Sequence, residues 1–309
     1  MLVEGLTVVV PTYNVSTLLI RTLDSLFHQT LPSNSYEVIV VDDGSTDDTE
    51  QAVALYSDRY ACRYYFQPDE GFRAAAARNV GIRHARYDVT LFIDAGIIVA
   101  PRLLALHNEA HRRTKSLALI GPSYGVCDYG NRCSELIEAA DQANIEATLR
   151  TLRGIPESYD SRTEYLQSIE YDLSRTNAPW LLFWGGHASV PTQTLREVGG
   201  FDEWFHRWGG EDNELGLRLF QLGCQFQALR EVCSIHIPHP KDPMQRREDA
   251  RFNTAYIHQK HGLPETEALI HHNWRCMVDE KPHQQCARYG CLDGQSSFEQ
   301  IVGVLELQG

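Results

Sequence analysis

The stretch YEVIVVDD, residues 36–43, is an apolar run too short for a helix that ends in two acids. It has the pattern of a strand, and three further runs bounded by turn signals share it: LTVVVP at 6–11, CRYYFQP at 62–68 and VTLFIDAG at 89–96. Helical patterns lie between them. Leu18, Leu19, Leu23 and Leu26 share one face of the first, and Ala52, Val53 and Tyr56 share one face of the second. The third, FRAAAARNVGIRHA, is rich in alanine and arginine and is a good helix former. This alternation predicts an α/β fold, a Rossmann-like and mostly parallel sheet with helices on both faces.

Ligands of such sheets bind beyond the carboxyl ends of the strands, so the polar residues that matter are expected there. Thr12, Tyr13 and Asn14 follow the first strand, Asp42 and Asp43 the second, and Asp94 the fourth. Ser45 to Asp48 read as a loop capping the next helix. There is neither a GxxxxGK[ST] phosphate loop nor a GxGxxG after the first strand, so the usual ATPase and dinucleotide fingerprints are missing. An acid at a strand end can accept a hydrogen bond from an imide N–H such as that of uracil, while Tyr13 offers a ring for stacking. A diphosphate in that pocket would need a metal ion, arginines such as Arg73 and Arg78, or both.

A second signal lies far along the chain. WGGEDNELGLRL, residues 208–219, places Glu211 and Asp212 behind Trp208, Gly209 and Gly210 at the start of an amphipathic helix. Acids at a helix start are favoured by its dipole, which explains them as a class. It does not explain the paired glycines, which let backbone approach a ligand closely. Trp184, Gly185, Gly186 and His187 repeat the aromatic-Gly-Gly device.

The chain of 309 residues carries a formal charge of -13, which argues against a nucleic-acid partner. No stretch approaches the ~20 apolar residues of a membrane span, and the N-terminus lacks the basic start of a signal peptide, so a cytoplasmic protein is expected. Eight cysteines without a CxxC pair read as free thiols, and the Cys- and His-rich tail matches no zinc spacing.

VVVPTYN, SLFHQT, VIVVDDGSTDDT, AARNVGI and LFIDAG follow one another in the order and spacing of the inverting family 2 glycosyltransferases with the GT-A fold, which the chain resembles. FWGGHASVPTQTLREVGGFDEWFHRWGGEDNELGLRLFQLG is similar to a galactosyltransferase-type C-terminal segment. The resemblance implies transfer of a sugar from a nucleoside diphosphate, most often UDP, to a hydroxyl, amine or thiol of a small-molecule, peptide or glycan acceptor. Carried onto this chain, it implies that Tyr13 and Asp43 hold the base, with Pro11, Thr12 and Asp42 beside them, and that Arg78 lies near the nucleotide. Asp94 opens the metal motif and with Ala95 contacts the nucleotide, Asp212 is the general base, and Glu211 contacts donor sugar or acceptor. Trp184, Gly185, Gly186, His187, Trp208, Gly209 and Gly210 line the sugar sites on this reading.

One departure matters. The family commonly writes its metal motif Asp-x-Asp, whereas here Gly96 replaces the second acid. Related sugar transferases place a metal-binding His after a strand beyond the Glu-Asp pair, so the resemblance implies Mn²⁺ or Mg²⁺ on Asp94 with His236, or with His239 as second choice. The alternative is a nucleotide-sugar or glycan-binding protein on the same fold that has lost catalysis. The expected organisation is a nucleotide-sugar half at 1–123, a helical acceptor-side insertion at 124–178, an acceptor and catalytic segment at 179–239, and a C-terminal extension at 240–309. Residues 133–154 read as one helix, and 240 onward begins as a basic loop with Lys241, Arg246 and Arg247 that could close over the diphosphate.

Overall fold

A computed structural model describes residues 2–57, 61–125, 134–237 and 242–278. The N-terminal half alternates as the sequence predicts: β1 (Val3–Thr12), α1 (Ser16–Leu26), β2 (Tyr36–Asp42), α2 (Thr49–Ser57), β3 (Cys62–Phe66), α3 (Ala74–His84) and β4 (Tyr87–Ile93). Then come β5 (Ile97–Val99), α4 (Leu103–Arg113), β6 (Leu117–Ile120), α5 (Ser134–Glu138), α6 (Ile145–Leu152), α7 (Thr163–Ser168), β7 (His187–Pro191) and α8 (Thr192–Glu197). The chain continues through α9 (Glu211–Gln221), β8 (Gln225–Ala228), β9 (Ser234–His236), α10 (Pro243–His261), α11 (Pro264–His271) and α12 (Trp274–Val278).

Seven strands form the central sheet in the order β3-β2-β1-β4-β7-β6-β8. All run the same way except β7, which is antiparallel to both neighbours. The fold is therefore the mostly parallel α/β sheet expected. Its two faces are built by alternation along each strand. Leu6, Val8 and Val10 of β1, with Val38 and Val40 of β2, face a core completed by Leu19, Leu23 and Leu26 of α1 and Leu103 and Leu104 of α4. Val9, Ile39 and Val41 face the opposite core, with Ala75, Ala77 and Ile82 of α3 and Leu215, Leu217 and Leu219 of α9. Each fully buried aliphatic side chain contributes about 1.5–3 kcal/mol, so the strand-end loops stand on a rigid base.

Two expectations are corrected. Residues 133–154 do not form one helix: among the described residues, α5 and α6 are separated by a turn in which the Asp141 carboxylate accepts from the Ala143 and Asn144 amides. An Asx turn of this kind competes with helical hydrogen bonding. The segment expected to open as a basic loop is instead α10, started by Asp242, whose side chain accepts from the Met244 and Gln245 amides, with Pro243 in the first turn. Lys241 and His239 lie outside the described residues. No helix among the described residues is long and apolar enough to cross a membrane.

Candidate active site

The carboxyl ends of the parallel strands β1, β2 and β4 lie on one side of the sheet, and α9 brings its N-terminus to Arg78 and Asp94 at the end of β4 from more than a hundred residues along the chain. At the end of β1, the exposed Tyr13 donates through its hydroxyl to Asp69 Oδ2 at 2.9 Å. Asp43 is buried, accepting from Gln67 Nε2 and from the Arg73 amide at 2.9 Å. Burial raises its carboxyl above the usual range, against the pull of those two donors. Tyr13 and Asp43 thus occupy neighbouring strand ends, and Thr12 joins them because its carbonyl accepts the Asp43 amide at 2.9 Å. Pro11 pairs with Val41 in the sheet just before.

Asp42 behaves differently. One oxygen accepts from the Ser45 amide at 2.8 Å and the other from the Tyr64 hydroxyl at 2.7 Å, and the residue is fully buried. It folds the loop after β2. Gln67 and Asp69, absent from the sequence-based expectations, bond to Asp43 and Tyr13 respectively. Their signal was position alone, directly after β3 in a sheet whose strand ends carry the site.

The centre of the site is Arg78, on the small-residue helix α3 and only 4% exposed. Its guanidinium meets Asp94 Oδ1 at 2.9 Å, Glu211 Oε1 at 3.2 Å and Asp212 Oδ1 at 3.8 Å. Phe201 packs against it, with the guanidinium carbon 5.3 Å from the ring centroid. Three carboxylates share one cation in a largely dehydrated place. Burial and the neighbouring Asp212 charge push Glu211 up to about 7, with Arg78 opposing. Asp212 is also raised, by burial first, against the pull of Arg78 and a hydrogen bond from the Gly185 backbone. Arg78, expected near the diphosphate, is here surrounded by acids, and its charge favours their ionised forms against burial. Arg73, paired with Glu70 at the start of α3, is the more accessible cation.

Glycines make this packing possible. A Cβ on Gly185 would overlap Asp212 Oδ1, and one on Gly186 would come within 2.9 Å of Asp94 Oδ2. The Gly186 carbonyl also accepts the Asp94 amide at 3.1 Å. Gly209 and Gly210, at φ 86° and 92°, reverse the chain into α9, a conformation that L side chains rarely adopt. Trp208 is 39% exposed and lies under the Arg246 guanidinium at 3.9 Å. Asp212 is in close contact with Gly185 and Arg78.

Trp184 packs between the Arg162 guanidinium, 4.1 Å from its ring centroid, and Trp274. Arg162 is itself buried, pairing with Asp160 at 2.5 Å and donating to the Leu182 and Gly121 carbonyls. His187, expected among the sugar contacts, is buried. It begins β7 and points into the core, where Nε2 meets His107 Nε2 at 3.0 Å and Nδ1 meets Ser234 Oγ at 3.0 Å. Burial and the Arg162 charge depress it to about 3, so it is a neutral core group.

Donor chemistry for a divalent ion is thin. Asp94 has Oδ1 committed to Arg78, and Ala95 contributes no side-chain donor. Gly96 sits at φ 98°, in the tight turn between β4 and β5, which accounts for glycine where an acid was expected. His236 ends β9, opposite Ile97. No group of three His, Cys, Asp or Glu converges among the described residues, so Asp94 and His236 fall short of a complete ligand set.

The sequence profile described as glycosyl transferase family 2 matches residues 7–167. The chain belongs to this family. A second profile, described as the N-terminal domain of galactosyltransferase, matches residues 167–240 and so contains α9. Validoxylamine A glucosyltransferase of Streptomyces hygroscopicus subsp. jinggangensis is 38% identical over 84% of this chain and 62% of its own length. Chondroitin synthase of Escherichia coli is 30% identical over 78% of this chain and 36% of its own. The chain thus spans about three-fifths or less of the length of these family relatives. Among solved structures, Staphylococcus aureus TarS 1–349 in complex with UDP-GlcNAc has a TM-score of 0.60 at 17% identity, covering 97% of this chain and 80% of that one. Mannosyltransferase PcManGT from Pyrobaculum calidifontis, in complex with GDP-Man and Mn²⁺, has a TM-score of 0.60 at 18% identity, covering 99% and 82%. Both share the fold of this family 2 chain.

Proposed function

We propose that the protein is an inverting glycosyltransferase that moves a sugar from a UDP-sugar to a nucleophile on an acceptor, with Asp212 as general base. The observation that carries this is the placement of Asp212: a carboxylate of raised basicity at the start of α9, held beside Arg78 and near Asp94 at the end of β4. Tyr13 and Asp43 form the base pocket, the ring stacking and the carboxylate accepting an imide N–H. UDP-GlcNAc in the TarS neighbour supports a UDP-linked donor.

In the reaction, the acceptor oxygen or nitrogen attacks the anomeric carbon as Asp212 takes its proton. The carbon–oxygen bond to the diphosphate breaks on the opposite face, and its electron pair remains on the phosphate oxygen. Configuration therefore inverts. Arg78 favours the ionised form of Asp212 and pairs with Asp94, while Glu211, raised to about 7, is suited to hydrogen-bonding a sugar hydroxyl. A small-molecule acceptor is favoured by the validoxylamine A relative, which covers most of this chain.

The test is a panel of UDP- and other NDP-sugars against candidate acceptors, following nucleotide release and product anomer. Asp212→Asn should lower transfer about 10²–10⁴-fold with UDP affinity unchanged. Equal turnover by this variant, or a product that retains configuration, rejects the mechanism. UDP-sugar binding without turnover by the wild type on any acceptor supports a binding protein instead.

A further inference from the structure

Helix α9 starts without a side-chain cap: Gly210 at its N-cap position has none to offer, and the preceding turn has to be fixed from elsewhere. The carbonyls of Arg207, Trp208 and Gly209 all point to one place, the Asn253 side chain on α10. Asn253 Nδ2 donates to Arg207 O at 3.1 Å, to Trp208 O at 3.2 Å and to Gly209 O, two N–H groups shared among three acceptors. The residue is 1% exposed. Its Oδ1 meets no donor among the described residues, so the amide is turned to serve the carbonyls. Its Cβ also lies 3.2 Å from where a side chain on Gly210 would begin, and Ile257, one helical turn on, lines the same spot.

A second tether acts in the first turn of α9, about two turns further along α10. Lys260 Nζ and His261 Nε2 of α10 reach the buried Glu214 Oε1 of α9 at 2.7 and 3.0 Å, and Arg218 pairs with the same carboxylate. α10 therefore grips α9 at its first turn and holds the turn before it. Residues 243–261 lie beyond both family profiles, which end at 167 and 240.

We infer that Asn253 is a positioning residue for transfer: from α10 it locks the Arg207–Gly209 turn and thereby fixes Glu211 and Asp212 against Arg78. The inference rests on the reading of Asp212 as base. A carboxylate displaced by about 1 Å from its working geometry loses on the order of a hundredfold in rate, and three hydrogen bonds to consecutive carbonyls are what prevents that displacement here.

The experiment compares Asn253→Ala and Asn253→Leu, the latter filling the volume without the donors, with wild type. Tyr256→Phe serves as a control that weakens the packing of α10 by removing its bond to Asp202. Three quantities are read: kcat for transfer, Kd for UDP, and hydrogen exchange of the peptide spanning residues 205–213. The expected result is a kcat lower by about ten- to a hundredfold, a UDP Kd within about twofold and faster exchange across 205–213, for whichever Asn253 variant folds. Tyr256→Phe should keep wild-type kcat and exchange. Unchanged kcat in the Asn253 variants overturns the positioning role while leaving the base reading intact. Equal loss in Tyr256→Phe overturns it too, by showing that general weakening suffices. If Asp212→Asn transfers like wild type, the base reading fails and the role of Asn253 falls with it.

Discussion

Replacing Arg78 by methionine keeps the length of the side chain and removes the only cation paired with Asp94, Glu211 and Asp212 among the described residues. Breaking a buried ion pair by removing one partner costs about 3–5 kcal/mol, because the other charge stays buried and uncompensated. Here three charges are left, so the upper part of that range applies once all are ionised. Glu211, raised from 4.5 to about 7, and Asp212, raised from 3.8, are already harder to ionise in the folded chain. Losing Arg78 raises both further. A carboxyl whose folded pKa exceeds its unfolded value loses stability from the unfolded pKa up to the folded one, so the deficit against wild type should be small near pH 4 and grow as pH rises past about 7, where wild-type Glu211 ionises. It corresponds to roughly 6–15 °C in melting temperature for a chain of this size. The assay is thermal unfolding of wild type and Arg78→Met from pH 4 to 8.5. A second variant, Arg78→Met with Glu211→Gln, should recover at least about 1 kcal/mol at high pH, since the two positions are coupled. A melting difference independent of pH, or a double variant weaker than the single one, would refute the electrostatic account of this centre.

Glu214 should show the opposite pH dependence. Burial raises it, but His261, Arg218 and Lys260 outweigh that and bring it to about 2, so its contribution is full above 4.5 and lost as pH falls through about 2. Glu214→Gln should cost about 3–5 kcal/mol in urea unfolding at pH 7 and much less near pH 2. Gly185→Ala places a methyl group on the Asp212 carboxylate, and transfer should fall about a hundredfold while UDP titration calorimetry stays unchanged. Gly96→Asp restores the acid of the metal motif at a backbone with φ 98°, costing about 1–2 kcal/mol in stability. UDP affinity should then gain a Mn²⁺ dependence larger than that of the wild type, measured with and without EDTA.

The sheet was legible because each of its first strands is an apolar run ending in polar residues, and β1, β2, β3 and β4 lie where those runs lie. The acids at the strand ends were legible for the same reason. What the pattern could not tell was which ends turn inward: Asp42 and Asp43 are adjacent, yet one fixes its own loop and the other lies next to the Tyr13 pocket. His187 shows the same limit. Its neighbour Gly186 touches Asp94, but one step along a strand reverses a side chain, and the imidazole lands among His107 and Ser234. Arg78 meeting Glu211, and Asn253 meeting the turn before α9, are pairings between distant parts of the chain that periodicity does not encode.

The strand order carries a consequence for synthesis. β4 takes its place beside β1 early, but its other neighbour, β7, is made about a hundred residues later. At typical elongation rates of roughly 5–20 residues per second, the nascent sheet exposes one unpaired edge for about 5–20 seconds. Such an edge is a template for pairing with another chain. During translation the hazard for this protein is therefore concentrated on residues 89–93, buried and all but one apolar, and a chaperone that shields them until His187–Pro191 emerges would raise the yield of folded protein.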